Sequence, residues 1–226
     1  MDSDSSPVAP YQIICEGAAD VVFLRRLLQI RWGVSDIQIR CTQTKNSTSC
    51  AGKSGLPDTL LALDAIRTTM PGRVKAILII FDSDDDPNNT FKGIIAAMKE
   101  TKLKYPQPTR LLEIKAGDPA IAIATLPWVT RIGHLDELIF EALQESHVDL
   151  MEPLKTYCEG TSHRTGSWSF GKKSKMRLKC LIAASHKPDP TASLKFFLET
   201  SDCPVDFNNP CFDTIVDFIK HFRETV

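Results

Sequence analysis

The chain has 226 residues, 42% of them hydrophobic and 24% charged, and a formal net charge of −1. Those values predict one soluble globular domain, alone or with an appendage, and exclude attraction to nucleic acid through global charge, so any such affinity needs a local patch. No apolar run reaches the ~18 residues of a membrane span, and the expected setting is the cytoplasm, with no membrane partner.

Residues 1–10 are rich in Ser, Asp and Pro and lack the basic and apolar pattern of a signal peptide, so they read as a disordered lead-in. Residues 11–15 form a first apolar strand. Residues 19–31 follow as a helix whose apolar face carries Val22, Phe23, Leu27 and Ile30. Residues 36–41 are a second strand, and 42–55 a polar loop of Thr, Ser, Asn, Lys and Gly. A second helix spans 57–70, with Pro57 suited to its first turn. Residues 74–81 are the most apolar strand, and 89–99 a third helix. Two further strands are expected at 111–115 and 120–126, then a helix beginning at 135–143. Strands alternating with helices predict an α/β, Rossmann-like, mainly parallel sheet with helices on both faces.

The pattern changes after about residue 146. Residues 152–158, 176–185, 193–198 and 212–222 all read as helices, separated early on by a stretch rich in Gly, Ser and Lys at 159–175. The expected organisation is therefore an α/β domain over 11–146 and a C-terminal helical appendage over 147–226, packed on one side of the same domain. Seven cysteines show no Cys-x-x-Cys pair, and an odd count without a secretion signal predicts reduced thiols. Five histidines show no zinc spacing.

Two strands end abruptly in carboxylates. The first runs Tyr11–Cys15 into Glu16, Gly17 and, three residues on, Asp20. The second runs through Ile79, Ile80 and Phe81 into Asp82, Ser83, Asp84, Asp85 and Asp86. In open α/β sheets, ligands bind outside the carboxyl ends of the strands, which would bring these groups to one crevice. Carboxylates crowded together repel and call for a cation, and hard oxygen donors favour Mg²⁺ or Mn²⁺ beside substrate phosphates. Plainer readings stand beside this one. Asp20, Asp136 and Glu137 lie at expected helix starts, where a carboxylate complements the helix dipole. Asp85 and Asp86 also suit a capping turn before Pro87.

Strand, Glu16-Gly17, Asp20 at a helix start, then a strand ending in Asp82-x-Asp84, resembles in order and spacing the Toprim family. That family occurs in topoisomerases, primases, the ribosomal RNA maturase and the overcoming-lysogenization-defect nucleases. The stretches 82–87, 121–127, 133–138, 175–184 and 212–222 are similar to a stand-alone branch of it. The resemblance implies Glu16 as general acid/base or metal ligand, and Asp82 and Asp84 as catalytic metal ligands. It further implies Asp20 as a second-site ligand or an orienter of Glu16, Gly17 as a point of close substrate approach, and Asp136 or Glu137 completing a second metal site. Asp86 would stand in an outer shell.

Ser47 to Ser54 approximates a phosphate-cradling loop, but Ser47 replaces its first Gly and Pro57 sits where the helix should already run. Lys53, on a loop facing the same crevice, remains a candidate phosphate contact. The strongest basic run spans 172–179, with Lys172 and Lys173 as candidate substrate contacts and Trp168 and Phe170 just before them. A solvated helix face is the other reading of that run. The leading functional expectation is a Mg²⁺- or Mn²⁺-dependent nuclease acting on DNA or RNA. The alternative is a non-catalytic or partner-activated module that binds a protein, such as an ATPase, or nucleic acid. A nucleotide-binding protein using Lys53 is the third.

Overall fold

In the computed structural model, which describes residues 8–186 and 188–226, four strands form one all-parallel sheet in the order β2-β1-β3-β4. These are β1 (Tyr11–Cys15), β2 (Ile37–Cys41), β3 (Ala76–Asp82) and β4 (Ala120–Leu126). β3 and β4 are buried along almost their whole length, which explains the apolar runs Ala76–Phe81 and Ala120–Ala124: both faces of a parallel sheet are covered.

Alternate side chains of each strand feed two cores. One face carries Ile13, Cys15, Leu78, Ile80 and Ala122, packed under α1 (Ala18–Arg31) and α4 (Leu135–Gln144). The other carries Ile14, Ile77, Ile79, Phe81 and Ile123, packed under α2 (Leu56–Thr69) and α3 (Pro87–Glu100). Helices on both faces, as the alternation predicts, make this an α/β Rossmann-like fold.

The C-terminal third is helical: α5 (Val148–Gly160), α6 (Ser162–Thr165), α7 (Phe170–Ser185), α8 (Leu194–Glu199) and α9 (Asp213–Thr225). Its apolar residues Leu178, Leu181, Phe197, Phe212 and Ile219 join the α1 face of the sheet in one continuous core. Phe212 meets Phe23 of α1 edge-on, with ring centroids 5.2 Å apart. Arg26 of α1 donates to the carbonyl of Thr200 at 2.8 Å and lies over the Phe207 ring at 5.1 Å. Arg223 of α9 pairs with Asp36 at 2.8 Å, in the turn before β2. α7 begins six residues earlier than the sequence predicts, at Phe170, because Ser169 caps it by accepting the Lys172 N–H. The basic run is therefore helical throughout.

Three expectations change. No strand forms at 111–115. Leu112 and Lys115 donate to the carbonyls of Ile123 and Ile121, so the segment shields the β4 edge, but Leu112 sits at φ 63° and breaks the extended geometry. Cys41 and Cys50 form a disulfide, Cα atoms 5.5 Å apart, across a loop whose base is closed by Ala51 N–H donating to Thr42. This corrects the expectation of seven reduced thiols; proximity made by a loop closure is invisible in a spacing of nine. Of the expected lead-in at 1–10, residues 1–7 lie outside the described residues, while Val8 packs on the second core and the Pro10 carbonyl accepts the Lys75 N–H. Among the described residues no helix is long and apolar enough to cross a membrane.

Candidate metal centre

The strand order reverses direction between β1 and β3: the chain leaves β1 for β2 on one side, then crosses to β3 on the other. At such a switch point the loops diverge and open a crevice. The carboxyl ends of β1 and β3 carry Glu16 and Asp82 into it.

Gly17 caps α1, and Asp20 in its first turn reaches back to accept the Gly17 N–H at 2.7 Å. The helix-start reading of Asp20 therefore holds in geometry, yet Asp20 is buried, and not only a surface cap. Burial first, then the nearby Asp82 carboxylate, pushes its carboxyl up to about 8. Glu16 shifts up for the same leading reasons, burial and then Asp82, with Lys53 opposing. Its Oε2 is buried and has no hydrogen-bond partner. Gly17 has an extended backbone open to any residue, and an added Cβ would only touch Asp20 at 3.4 Å, so local geometry does not demand glycine there.

Asp82 ends β3 facing the start of α4. Its Oδ1 accepts the Leu135 N–H at 3.0 Å, and its Oδ2 lies 3.0 Å from His134 Nδ1. Burial opposes the imidazolium, but the Asp82 hydrogen bond outweighs it and raises the His134 pKa. Asp84 adopts φ 51° and exchanges two backbone hydrogen bonds with Gly133, at 3.0 and 2.7 Å. That pairing locks the loop after β3 against the loop before α4. Gly133 itself has φ 126°, a region closed to other residues, and an added Cβ would lie 3.1 Å from both Glu137 and Phe170.

Lys53 stands in the 3₁₀ turn Gly52–Gly55 and forms an ion pair with Asp84, while Nζ lies 3.4 Å from Thr90 Oγ1. Thr90 in turn donates to the carbonyls of Asp82 and Ser83, bracing the acidic turn from α3. Asp136 lies in the first turn of α4, its pKa raised by burial, with Lys175 opposing. Glu137 turns away and pairs with Arg177 of α7 at 2.8 Å. Asp86 caps α3 by accepting the Asn88 N–H at 2.8 Å, the turn reading of that residue. Lys173 points from the crevice toward the Gly166 carbonyl, 3.4 Å away, and Lys172 is exposed on α7.

His134, Thr90 and Lys175 are the site neighbours that sequence reasoning missed. α7 reaches the crevice because Gly171 has no side chain: a Cβ there would stand 1.9 Å from His134 Nε2. His134 follows Gly133 directly, but nothing in the spacing shows that it meets an aspartate 52 residues earlier.

The donors fit a hard cation in kind. Glu16, Asp20, Asp82, Asp84 and Asp136 are all oxygen donors, three with pKa values raised by burial and neighbouring carboxylates, and one oxygen is orphaned. In arrangement they fall short: among the described residues no three His, Cys, Asp or Glu groups are gathered closely enough to hold a metal ion. Lys53 and His134 take up part of Asp84 and Asp82 instead.

No curated protein and no solved structure matches this sequence. One family does, over residues 10–224, which takes in every strand, the acidic crevice and the C-terminal helices alike. On that match the chain belongs to the family described as "Protein of unknown function (DUF3226)".

Proposed function

We propose that this chain is a Toprim-type, Mg²⁺- or Mn²⁺-dependent nuclease that hydrolyses phosphodiester bonds of DNA or RNA. One observation carries the reading: carboxylates from two adjacent strand ends meet at a switch point with a buried, unpartnered Glu16 oxygen and Asp20 raised to about 8. Such crowding stores repulsion that a divalent cation relieves. The order of Glu16-Gly17, Asp20 and Asp82-x-Asp84 along the chain, with its Toprim resemblance, supports the same reading.

Glu16, Asp82 and Asp84 would hold the ion, with Asp20 and Asp136 at a second position. When bound, the cation would supply Lewis-acid stabilisation of the phosphoryl oxygens. Glu16, its pKa raised by burial and by Asp82, would serve as the group that takes and returns a proton. Asp82 is oriented by the Leu135 N–H and His134. Lys53 would exchange Asp84 for a substrate phosphate.

The test is cleavage of plasmid, linear duplex, single-stranded DNA and structured RNA with Mg²⁺ or Mn²⁺, comparing wild type with Glu16→Ala and Asp82→Ala. Metal-dependent cleavage lost in both variants is the expected result. An intact panel with Mn²⁺ would refute catalysis by the isolated chain.

A second reading is favoured by the Lys53–Asp84 and His134–Asp82 pairs, which occupy the donors. In it, the chain is a module activated by a partner, such as an ATPase, whose docking shifts the Gly52–Gly55 turn. Lys53→Ala would then bind Mn²⁺ more tightly than wild type by calorimetry. Equal affinities would count against it.

A further inference from the structure

Along α7, Lys172, Lys175 and Lys179 fall at spacings of three and four, on one exposed face of the helix. None of the three forms an ion pair among the described residues. They line one concavity of about 530 Å³ together with Trp168, Met176 and Cys180. Trp168 is 40% exposed, which leaves part of its ring free to stack. The face leads directly to the acidic crevice: Gly171 lies against His134, and Lys175 bears electrostatically on both His134 and Asp136.

We propose that this face of α7 is a track for single-stranded nucleic acid, in which Lys172, Lys175 and Lys179 follow the phosphates and Trp168 stacks on an unpaired base, delivering the strand to the crevice. The proposal rests on the nuclease reading for what happens at the end of the track, but not for binding itself. The chemistry selects a single strand. An aromatic face takes up a base only when that base is unpaired, and the base–aromatic stack tolerates any sequence. The stripe is about 10 Å long, from seven residues at 1.5 Å rise. That length suits a few consecutive phosphates of one strand and is short for both backbones of a duplex. With a net charge of −1 no broad positive field assists, so the local stripe must supply the attraction.

The experiment is fluorescence anisotropy of a labelled oligothymidylate and of a labelled DNA hairpin, titrated with the full chain in EDTA at several salt concentrations. In EDTA nothing depends on the metal, so binding is read apart from cleavage. Wild type is expected to bind the single strand more tightly than the hairpin. Its log K should fall with log salt at a slope of about −2, from three contacts at about 0.7 each. Lys172→Ala with Lys179→Ala should flatten that slope by about 1.4, and the paired Lys→Arg variant should restore it. Trp168→Ala should weaken single-strand binding roughly 5- to 150-fold and leave hairpin binding unchanged. Equal or tighter binding of the hairpin, or a slope and affinity untouched in both variants, would overturn the track. Single-strand binding with no cleavage in Mn²⁺ would refute the nuclease reading and leave the track standing. Cleavage that survives all three substitutions at wild-type kcat/KM would do the reverse.

Discussion

Replacing Asp20 by Asn should stabilise the protein, and increasingly so as pH rises. Asp20 is only 6% exposed and accepts one hydrogen bond, from the Gly17 N–H, which an amide oxygen can also accept. The substitution therefore keeps the cap and removes the charge. In the unfolded chain the carboxyl titrates near 3.8, and in the folded protein near 8, with burial and Asp82 as the leading causes. Folding thus favours the protonated form. Between those two values the native state binds more protons than the unfolded state, so wild-type stability falls as pH rises through that window. At 1.36 kcal/mol per pH unit, the loss between pH 3.8 and pH 7 amounts to about 4 kcal/mol as an upper figure. Urea denaturation in EDTA at pH 4.5, 6, 7 and 8 reads it out. Asp20→Asn should lie close to wild type at pH 4.5 and exceed it by about 2–4 kcal/mol at pH 7 to 8. A gap that does not change with pH, or a variant less stable than wild type throughout, would refute the placement of Asp20 as a buried carboxyl crowded by Asp82.

Gly171→Ala should destabilise by about 1–3 kcal/mol despite alanine's better helix propensity, because the new Cβ would meet His134 at 1.9 Å. The same substitution made in a His134→Ala background should recover most of that loss, and failure to recover it in a double-mutant denaturation cycle would refute the contact. Phe212→Ala should cost about 3–5 kcal/mol, since Phe212 is fully buried between Phe23 and Phe207. Its urea unfolding should remain one transition by both fluorescence and circular dichroism, and two separated transitions would refute a core shared by the sheet and the C-terminal helices. Thiol titration of denatured, unreduced protein should find five thiols, rising to seven after reduction, because Cys41 and Cys50 are bonded to each other; seven before reduction would remove the cross-link.

The strands and helices of the α/β portion were legible in sequence because their causes are local. Ala76 to Phe81 is apolar without interruption, and a run that short and that apolar suits a strand covered on both faces. The helix stripes around Phe23, Leu60 and Ile219 repeat at helical spacing and enter the cores, except Ile30, which is 49% exposed near the end of α1. Element ends were off by a few residues where caps decide them, as at Ser169, whose hydroxyl starts α7 well before the apolar stripe begins. The segment at 111–115 has strand-like composition and strand-like hydrogen bonds to β4, but the backbone at Leu112 forbids a continuous strand.

For the site, the sequence by itself determined which carboxylates end β1 and β3, because an apolar strand that breaks into acid marks its own end. Tertiary structure alone decided what each carboxylate meets. Asp82 finds His134 and Leu135, Asp84 finds Lys53 and Gly133, Glu137 leaves for Arg177, and Asp86 stays behind to cap α3. The same division holds for the lysines: composition marks the basic run, but the helix phase turns Lys172, Lys175 and Lys179 to one face and Lys173 to another. The physical reason is range. Periodicity and capping act over three or four residues, whereas the partners of a buried charge are set by strand order and by where a glycine lets one element approach another.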